Sequence, residues 1–300
     1  MDLEYKIINN KYDNIKQVLK EEFHISDRLL KKLKLNHQIF LNYIPVNINY
    51  SDLKIGDLIS IVLDFEEEYD NIVPLKSNLN IIYEDNYLLV VNKPSNMPVH
   101  PSCNHFEDSL SNIVKYYFDC IGLKRKIRIV NRLDKDTSGI VIFAKNEYIQ
   151  ESLIQQMKNN TFKKEYLAIL NGILEKNSDI ISAPIARKEN SIIERCVNFE
   201  TGDIAITHYD LIKTINNKYS LVHFVLETGR THQIRVHFAY INHPVINDPV
   251  YNKKHVINDY GQLLHAYYLG FTHPVTKEFL EFNVPPEEEF TKLLETFKNS

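Results

Sequence analysis

Apolar residues recur at helical spacing early in the chain. Ile15, Val18, Leu19 and Phe23 fall at i, i+3, i+4 and i+8, one face of a helix. Ser26 stands where an N-cap would open a second helix. Leu29, Leu30 and Leu33 form its apolar face, and Arg28, Lys31, Lys32 and Lys34 the opposite one. Ile39-Phe40-Leu41 and Leu58–Leu63 read as strands, the second entered through a Gly56-Asp57 turn. Residues 1–65 therefore predict a small α+β unit. Asp64, Glu66, Glu67, Glu68 and Asp70 follow as an acidic run of the kind normally left in solvent. With Pro74, Ser77 and Asn78 after it, the run suits a linker over 66–79, ahead of a larger domain at 80–300.

The larger domain mixes two periodicities. Ile81–Glu84 and Leu88–Asn92 predict strands about an Asp85-Asn86 turn, and Ile140–Ala144 a short buried strand. Ile149, Leu153, Gln156 and Met157 predict a helix. Tyr166–Leu170 alternates and meets Asn171-Gly172, a hairpin dipeptide. Tyr219–Glu227 reads as a strand, and Ile234, Phe238 and Ile241 place a helix after the Gly229-Arg230-Thr231 turn. Strands and helices do not alternate regularly, so the expected class is α+β on a largely antiparallel sheet.

Composition narrows the function. The 300 residues suggest two domains. Thirty-five basic against 39 acidic residues, a net of -4, exclude a globally basic coat and leave room for a local basic patch. Cys103, Cys120 and Cys196 are odd in number and widely spaced, which argues for a reducing cytoplasm without disulfides or a thiolate zinc site. No apolar run approaches the ~18–20 residues of a membrane span. Met1-Asp2-Leu3-Glu4-Tyr5 lacks a signal-peptide pattern.

Two segments concentrate polar chemistry. Asn131-Arg132-Leu133-Asp134-Lys135-Asp136-Thr137-Ser138-Gly139 is a charged loop running into a buried strand, which can hold a carboxylate rigidly. Lys124, Arg125, Lys126 and Arg128 lie upstream, a setting suited to a polyanion. The plain alternative is an Asp-rich turn capped by Asp136 or Thr137. In the second segment, Thr228–His237, Arg230 and Arg235 are five residues apart, about 140° around a helix. They therefore face different partners, one suited to a carboxylate and one to a phosphate. His232 and His237 diverge equally, and no Glu or Cys completes a zinc signature, so no metal is expected.

Together these segments resemble the RluA-type RNA pseudouridine synthases. Asn131–Ala144 is similar to their His-Arg-Leu-Asp-x-Asp-Thr-Ser-Gly segment. In family order stand Val91-Asn92-Lys93-Pro94 with Pro98-Val99-His100-Pro101, then Lys164-Glu165-Tyr166-Leu167-Ala168, then Gly229–His237. His243-Pro244, Asp248 and Tyr251 continue the match, and Leu264-His265-Ala266 with His273-Pro274 closes it. Ser26–Leu33, Ile39–Asn42 and Gly56-Asp57 resemble, more weakly, the small RNA-binding domain named after a ribosomal small-subunit protein.

The resemblance implies isomerisation of uridine to pseudouridine in RNA without cofactor. Asp134 matches the catalytic carboxylate, Tyr166 the base-contacting ring and Arg235 the partner of the carboxylate. Arg132 matches the residue that fills the space of the flipped nucleotide. His100, Leu133, Arg230 and Ile234, which stand in the matching motifs, are expected to line the substrate. Lys124, Arg125, Lys126, Arg128, Lys31 and Lys32 are expected to meet RNA. The expected partner is structured RNA, ribosomal ahead of transfer RNA, with neither DNA nor membrane, and a monomer is the default. Asp134 attacks the sugar or removes a sugar proton to give a glycal; sequence leaves both open. Two other readings are a catalytically silent RNA-binding protein on this fold and a glycoside hydrolase, which needs a second acid near the first. Asn131 departs from the family's His. Asn96, Asn242 and Asn247 stand for family glycines and predict positive φ at Asn242 and at one or both of the others, and Tyr43 replaces a turn glycine.

Overall fold

The structure, a computed structural model, describes residues 2–63, 66–67, 71–102 and 104–299. Asp64, Glu68 and Asp70 of the acidic run, and Cys103, lie outside the described residues.

The N-terminal segment forms β1 (Leu3–Lys6), α1 (Ile15–Glu21), α2 (Asp27–Leu35), β2 (Ile39–Leu41), β3 (Ile44–Pro45) and β4 (Leu58–Ile61), with sheet order β1-β4-β2-β3. Ser26 caps α2, its hydroxyl accepting from the Leu29 amide at 3.3 Å. Leu29, Leu30 and Leu33 are buried as the spacing requires. Asn42 and Tyr43 both take positive φ, 49° and 67°, in the β2–β3 turn, so the turn keeps a left-handed backbone without glycine.

The remainder forms β5 (Ile81–Glu84), β6 (Leu88–Lys93), α3 (Leu110–Cys120), β7 (Arg128–Ile129), β8 (Ser138–Ala144), α4 (Glu147–Lys158), β9 (Lys163–Asn171) and β10 (Ser178–Ser182). It continues through β11 (Ile185–Arg187), β12 (Arg195–Val197), β13 (Ile206–Ile215), β14 (Tyr219–Leu226), α5 (Gln233–Tyr240), β15 (Leu264–Thr272), β16 (Phe279–Asn283) and α6 (Glu288–Asn299). The large sheet runs β10-β13-β14-β9-β15-β8-β6-β5, with β16 beside β15 and β7 beside β8. Its β15–β8 pair is parallel, and its other pairs are antiparallel. The fold is a mixed α+β with a mostly antiparallel sheet, as the sequence suggested.

Two local expectations change. Asn171-Gly172 does not close a hairpin: the next strand, β10, pairs with β13 at the sheet edge, and β9 pairs with β14 and β15. A tight hairpin forms instead between β13 and β14, through Asn216, Asn217 and Lys218, with Asn216-Asn217 at its turn. Both residues have positive φ, 48° and 52°, and the Lys218 amide donates to Ile215 at 3.0 Å.

The basic run differs as well. Arg128 is buried and forks onto Glu67, with Nη2 2.6 Å from Oε1, and lies 3.8 Å from Glu147. Lys32 meets the same two carboxylates, 3.1 Å from Glu67 and in a hydrogen bond to Glu147. Lys124 pairs with Glu66 at 3.1 Å, and the Lys126 amide donates to Glu67. Glu67 is thus buried rather than solvated, and Arg128 and Lys32 are structural cations instead of phosphate-facing ones. These partners are distant in sequence, so no local pattern reveals them. Arg125 lines a cavity with Asp2, Tyr87 and Lys145. Lys31 remains exposed on the outer face of α2.

One apolar cluster on the sheet contains Leu133, Tyr166, Phe224, Leu226, Ile234, Phe238 and Leu264. Phe238 of α5 meets Phe224 edge-on at 5.0 Å and Tyr209 at 5.3 Å, which seats the helix on β13 and β14. α5 ends in a Schellman turn: the His243 amide donates to Phe238 at 2.7 Å and the Asn242 amide to Ala239 at 3.2 Å. Asn242 has φ 65°, and Asn96 and Asn247 have 58° and 61°. All three replacements keep the left-handed backbone expected of a glycine position.

Candidate active site

The Arg132–Thr137 loop is held from beneath. The Thr137 amide donates to the Asp134 carbonyl at 3.1 Å, and Gln262 donates to the Thr137 hydroxyl at 2.9 Å. Lys93, fully buried, donates to the carbonyls of Pro94, Met97 and Lys135 at 2.7–2.9 Å. Burial pushes its ammonium down to about 7. At the loop's end Gly139 has φ 120°, and a Cβ there would stand 2.2 Å from the Ala266 carbonyl. Only glycine lets β8 approach β15 there. Asn131, the departure from the family's His, is buried and bonds across β8, donating to Ile140 at 2.9 Å and accepting from the Ile142 amide at 2.8 Å. It pins the loop to its strand.

Asp134 projects from this loop toward α5. Arg235 Nη1 donates to Asp134 Oδ2 at 2.8 Å. The other edge of the guanidinium forks onto Asp248, with Nε 2.7 Å from Oδ2 and Nη2 2.9 Å from Oδ1. Asp248 is wholly buried and also accepts from the amides of Val250 and Tyr251 at 2.8 and 3.0 Å. Arg235 therefore cannot swing, and it is a fixed cation for Asp134. Burial by itself would raise the Asp134 pKa, but the Arg235 charge, with lesser help from His232, brings it below the ordinary carboxylate range.

His232 caps α5 in a left-handed conformation, φ 59°, and places Nε2 3.9 Å from Asp134 Oδ1. Its Nδ1 lies 2.9 Å from the Tyr251 hydroxyl, which accepts from the Arg195 amide at 2.8 Å. Burial pushes the imidazole pKa down, against the pull of the Asp134 charge. The Tyr251 ring also covers the Arg235 guanidinium at 5.2 Å.

Tyr166 stands on β9, between Phe224 of β14 and β15. Burial and the Asp134 charge both raise its pKa, so the phenol stays protonated. Leu133, Leu226, Ile234 and Leu264 surround it and Asp134 in an inner pocket of about 80 Å³. An adjoining cleft of about 410 Å³ shares Arg132, Asp134, Tyr166 and Arg230 with that pocket and is lined by His100 and Lys164 as well. Arg132 is exposed and makes no ion pair among the described residues. Arg230 leans outward, donating to Ile204 at 3.0 Å, with Asp203 3.6 Å away.

The structure thus gathers Asp134, Tyr166, Arg235, Leu133 and Ile234 at the floor, and Arg132, His100 and Arg230 at the rim. Lys124–Arg128 line neither compartment. Nor does Asp136, which packs on Gly261 and is raised in pKa by burial, so the two-acid reading lacks its second carboxylate. His237 is buried, bonded to Thr207 and to the Ala183 carbonyl at 2.9 Å each. The bracing by Asp248, the His232–Tyr251 relay and the Lys93 clamp escaped sequence reasoning. Their residues fell inside the matched motifs, but no spacing says which carboxylate Arg235 shares.

A family described as RNA pseudouridylate synthase matches residues 87–240. The uncharacterized RNA pseudouridine synthase YlyB of Bacillus subtilis is 38% identical over 88% of this chain and 86% of its own length. The ribosomal large subunit pseudouridine synthase D of Blochmanniella floridana is 34% identical over 90% of this chain and 89% of its own. Among solved structures, human RNA pseudouridylate synthase domain containing 1 covers 78% of this chain and 98% of its own. It has a TM-score of 0.58 at 24% identity, a likeness of fold.

Proposed function

Because this chain belongs to the RNA pseudouridylate synthase family, we propose that it converts uridine in ribosomal RNA to pseudouridine with Asp134 as the reacting carboxylate. As an RNA pseudouridine synthase it is an isomerase. The bond from uracil N1 to the anomeric carbon breaks, the base turns, and C5 joins the same carbon. C5 then loses a proton and N1 gains one. No electrons enter or leave, so the chemistry calls for no redox group.

The observation that carries the reading is the pairing of Asp134 with Arg235 at 2.8 Å beside the Tyr166 ring, at the floor of the cleft. A carboxylate kept ionised there serves either as nucleophile on the anomeric carbon or as base for a sugar proton. Tyr166, Leu133 and Ile234 are buried beside Asp134, so the target nucleotide leaves its stack to reach them. Arg132, exposed at the rim, is a planar cation free to take the vacated place. Tyr166 offers its face to the extruded uracil, and Leu133 and Ile234 complete an apolar seat. The ribosomal target is supported by relatives named ribosomal large subunit pseudouridine synthase D.

The test is Asp134→Asn. Tritium release from C5 of labelled uridine in ribosomal RNA should vanish while RNA binding persists. Substantial turnover in the Asn variant, with deamidation excluded, would refute the role. Pseudouridine maps of ribosomal and transfer RNA with and without the gene decide the target. Sites lost only from transfer RNA would overturn the ribosomal choice.

A further inference from the structure

Lys164 precedes Tyr166 by two residues on β9, so both side chains leave the same face of the strand, and both line the cleft. The lysine is half-buried. Other half-buried or buried cations described above have found carboxylates or carbonyls: Lys32, Arg128 and Arg235 with acids, Lys93 with three carbonyls. Lys164 has neither an ion pair nor a hydrogen bond among the described residues. Burial without a counter-charge pulls its pKa down. An ammonium in this state gains most from an anion brought by a ligand.

Gly229 faces it. A Cβ at Gly229 would stand 3.4 Å from the Lys164 amine, and the backbone there does not take positive φ. Glycine is therefore not required by conformation. What its missing side chain provides is an uncovered approach to the amine. Tyr166 lies about 7 Å further along the strand, roughly the step from a base to its own phosphate.

We infer that Lys164 binds a backbone phosphate of the extruded nucleotide, and that Gly229 stays bare to admit it. The inference rests on the pseudouridine synthase reading and adds an anchor for the nucleotide outside the reacting groups. A lysine suits this task as a compact point charge with three donors, needing no fixed plane of approach.

The experiment uses the full-length protein, a short oligouridylate, and the same oligomer with uncharged methylphosphonate linkages. Lys164→Met should lower the log–log salt slope for the charged oligomer by about 0.7. Between 50 and 200 mM salt its affinity should then fall about 2.6-fold less than that of the wild type. Lys164→Arg should restore the slope, Gly229→Ala should weaken binding of the charged oligomer, and all forms should bind the uncharged oligomer alike. An unchanged slope in Lys164→Met, or an equal loss on the uncharged oligomer, overturns the inference in an enzyme that still forms pseudouridine. A wild type that forms none in ribosomal or transfer RNA overturns the parent reading instead.

Discussion

Arg235 has two tasks, and removing it separates them. In Arg235→Ala the Asp248 carboxylate stays wholly buried with only the Val250 and Tyr251 amides as donors. Breaking a buried pair from one side costs about 3–5 kcal/mol. Asp134, partly exposed, adds less. At a urea slope of about 2 kcal/mol/M the midpoint should fall by roughly 1.5–2.5 M. Adding Asp248→Asn removes the orphaned charge, and its amide oxygen still accepts from both backbone amides. The double variant should recover more than half of the lost stability. Activity should not follow, because Asp134 still lacks its main cation and burial then raises its pKa against less opposing charge. Tritium release should stay down by about 100-fold or more in both variants. Equilibrium urea unfolding and tritium release on the same preparations provide the two readouts. An Arg235→Ala protein as stable as the wild type would refute the burial argument. A double variant that regains turnover would refute the role of Arg235 toward Asp134.

Further outcomes follow from the same geometry. Asp134 has a folded pKa below its unfolded value of about 3.9, so its contribution is full above that pH and is lost as pH falls through the folded value. The stability difference between wild type and Asp134→Asn should therefore stay level from neutral pH to about 5 and shrink only below about 4; decay near pH 6 would contradict the assignment. Glu67 is held down to about 2, chiefly by Arg128 against the cost of burial, so its contribution likewise persists above about 4.3 and fades in acid. Glu67→Gln should speed hydrogen exchange in α2, and unchanged protection there would show that the Lys32–Glu67–Arg128 network does not hold the helix. Asn242→Gly should be neutral or mildly stabilising, whereas Asn242→Val should cost about 1–2 kcal/mol at its left-handed backbone, and equal melting temperatures would dismiss that strain.

Much of the scaffold was legible because its periodicities are local. α1, α2, β5, β6, β8, α4 and α5 each carry an apolar stripe or run that needs no distant partner. α3 carried the same signal, with Leu110, Ile113, Val114 and Phe118 at helical spacing after Ser109, and so did α6 in Phe290, Leu293 and Phe297, yet neither was read. β10 to β12 offered no usable alternation, since their positions are mostly exposed or half-exposed. At the site, Asp134, Tyr166 and Arg235 stood out because three motifs arrive in order. The pairing of Arg128 was not legible because Glu67 and Glu147 lie 61 and 19 residues away along the chain, beyond any local pattern.

Residues of the N-terminal unit and of the large sheet belong to one apolar cluster, from Leu3, Leu29 and Leu63 to Leu88, Val90, Ile140 and Ile149. A shared interior makes the first segment a poor candidate for exchange. A foreign module grafted ahead of residue 80 would have to reproduce the hydrophobic seam and supply acids for Arg128, or leave both uncovered. Folding of the first segment is therefore coupled to folding of the large sheet. A chain that replaced its front segment would have to rebuild this side of the sheet at the same time.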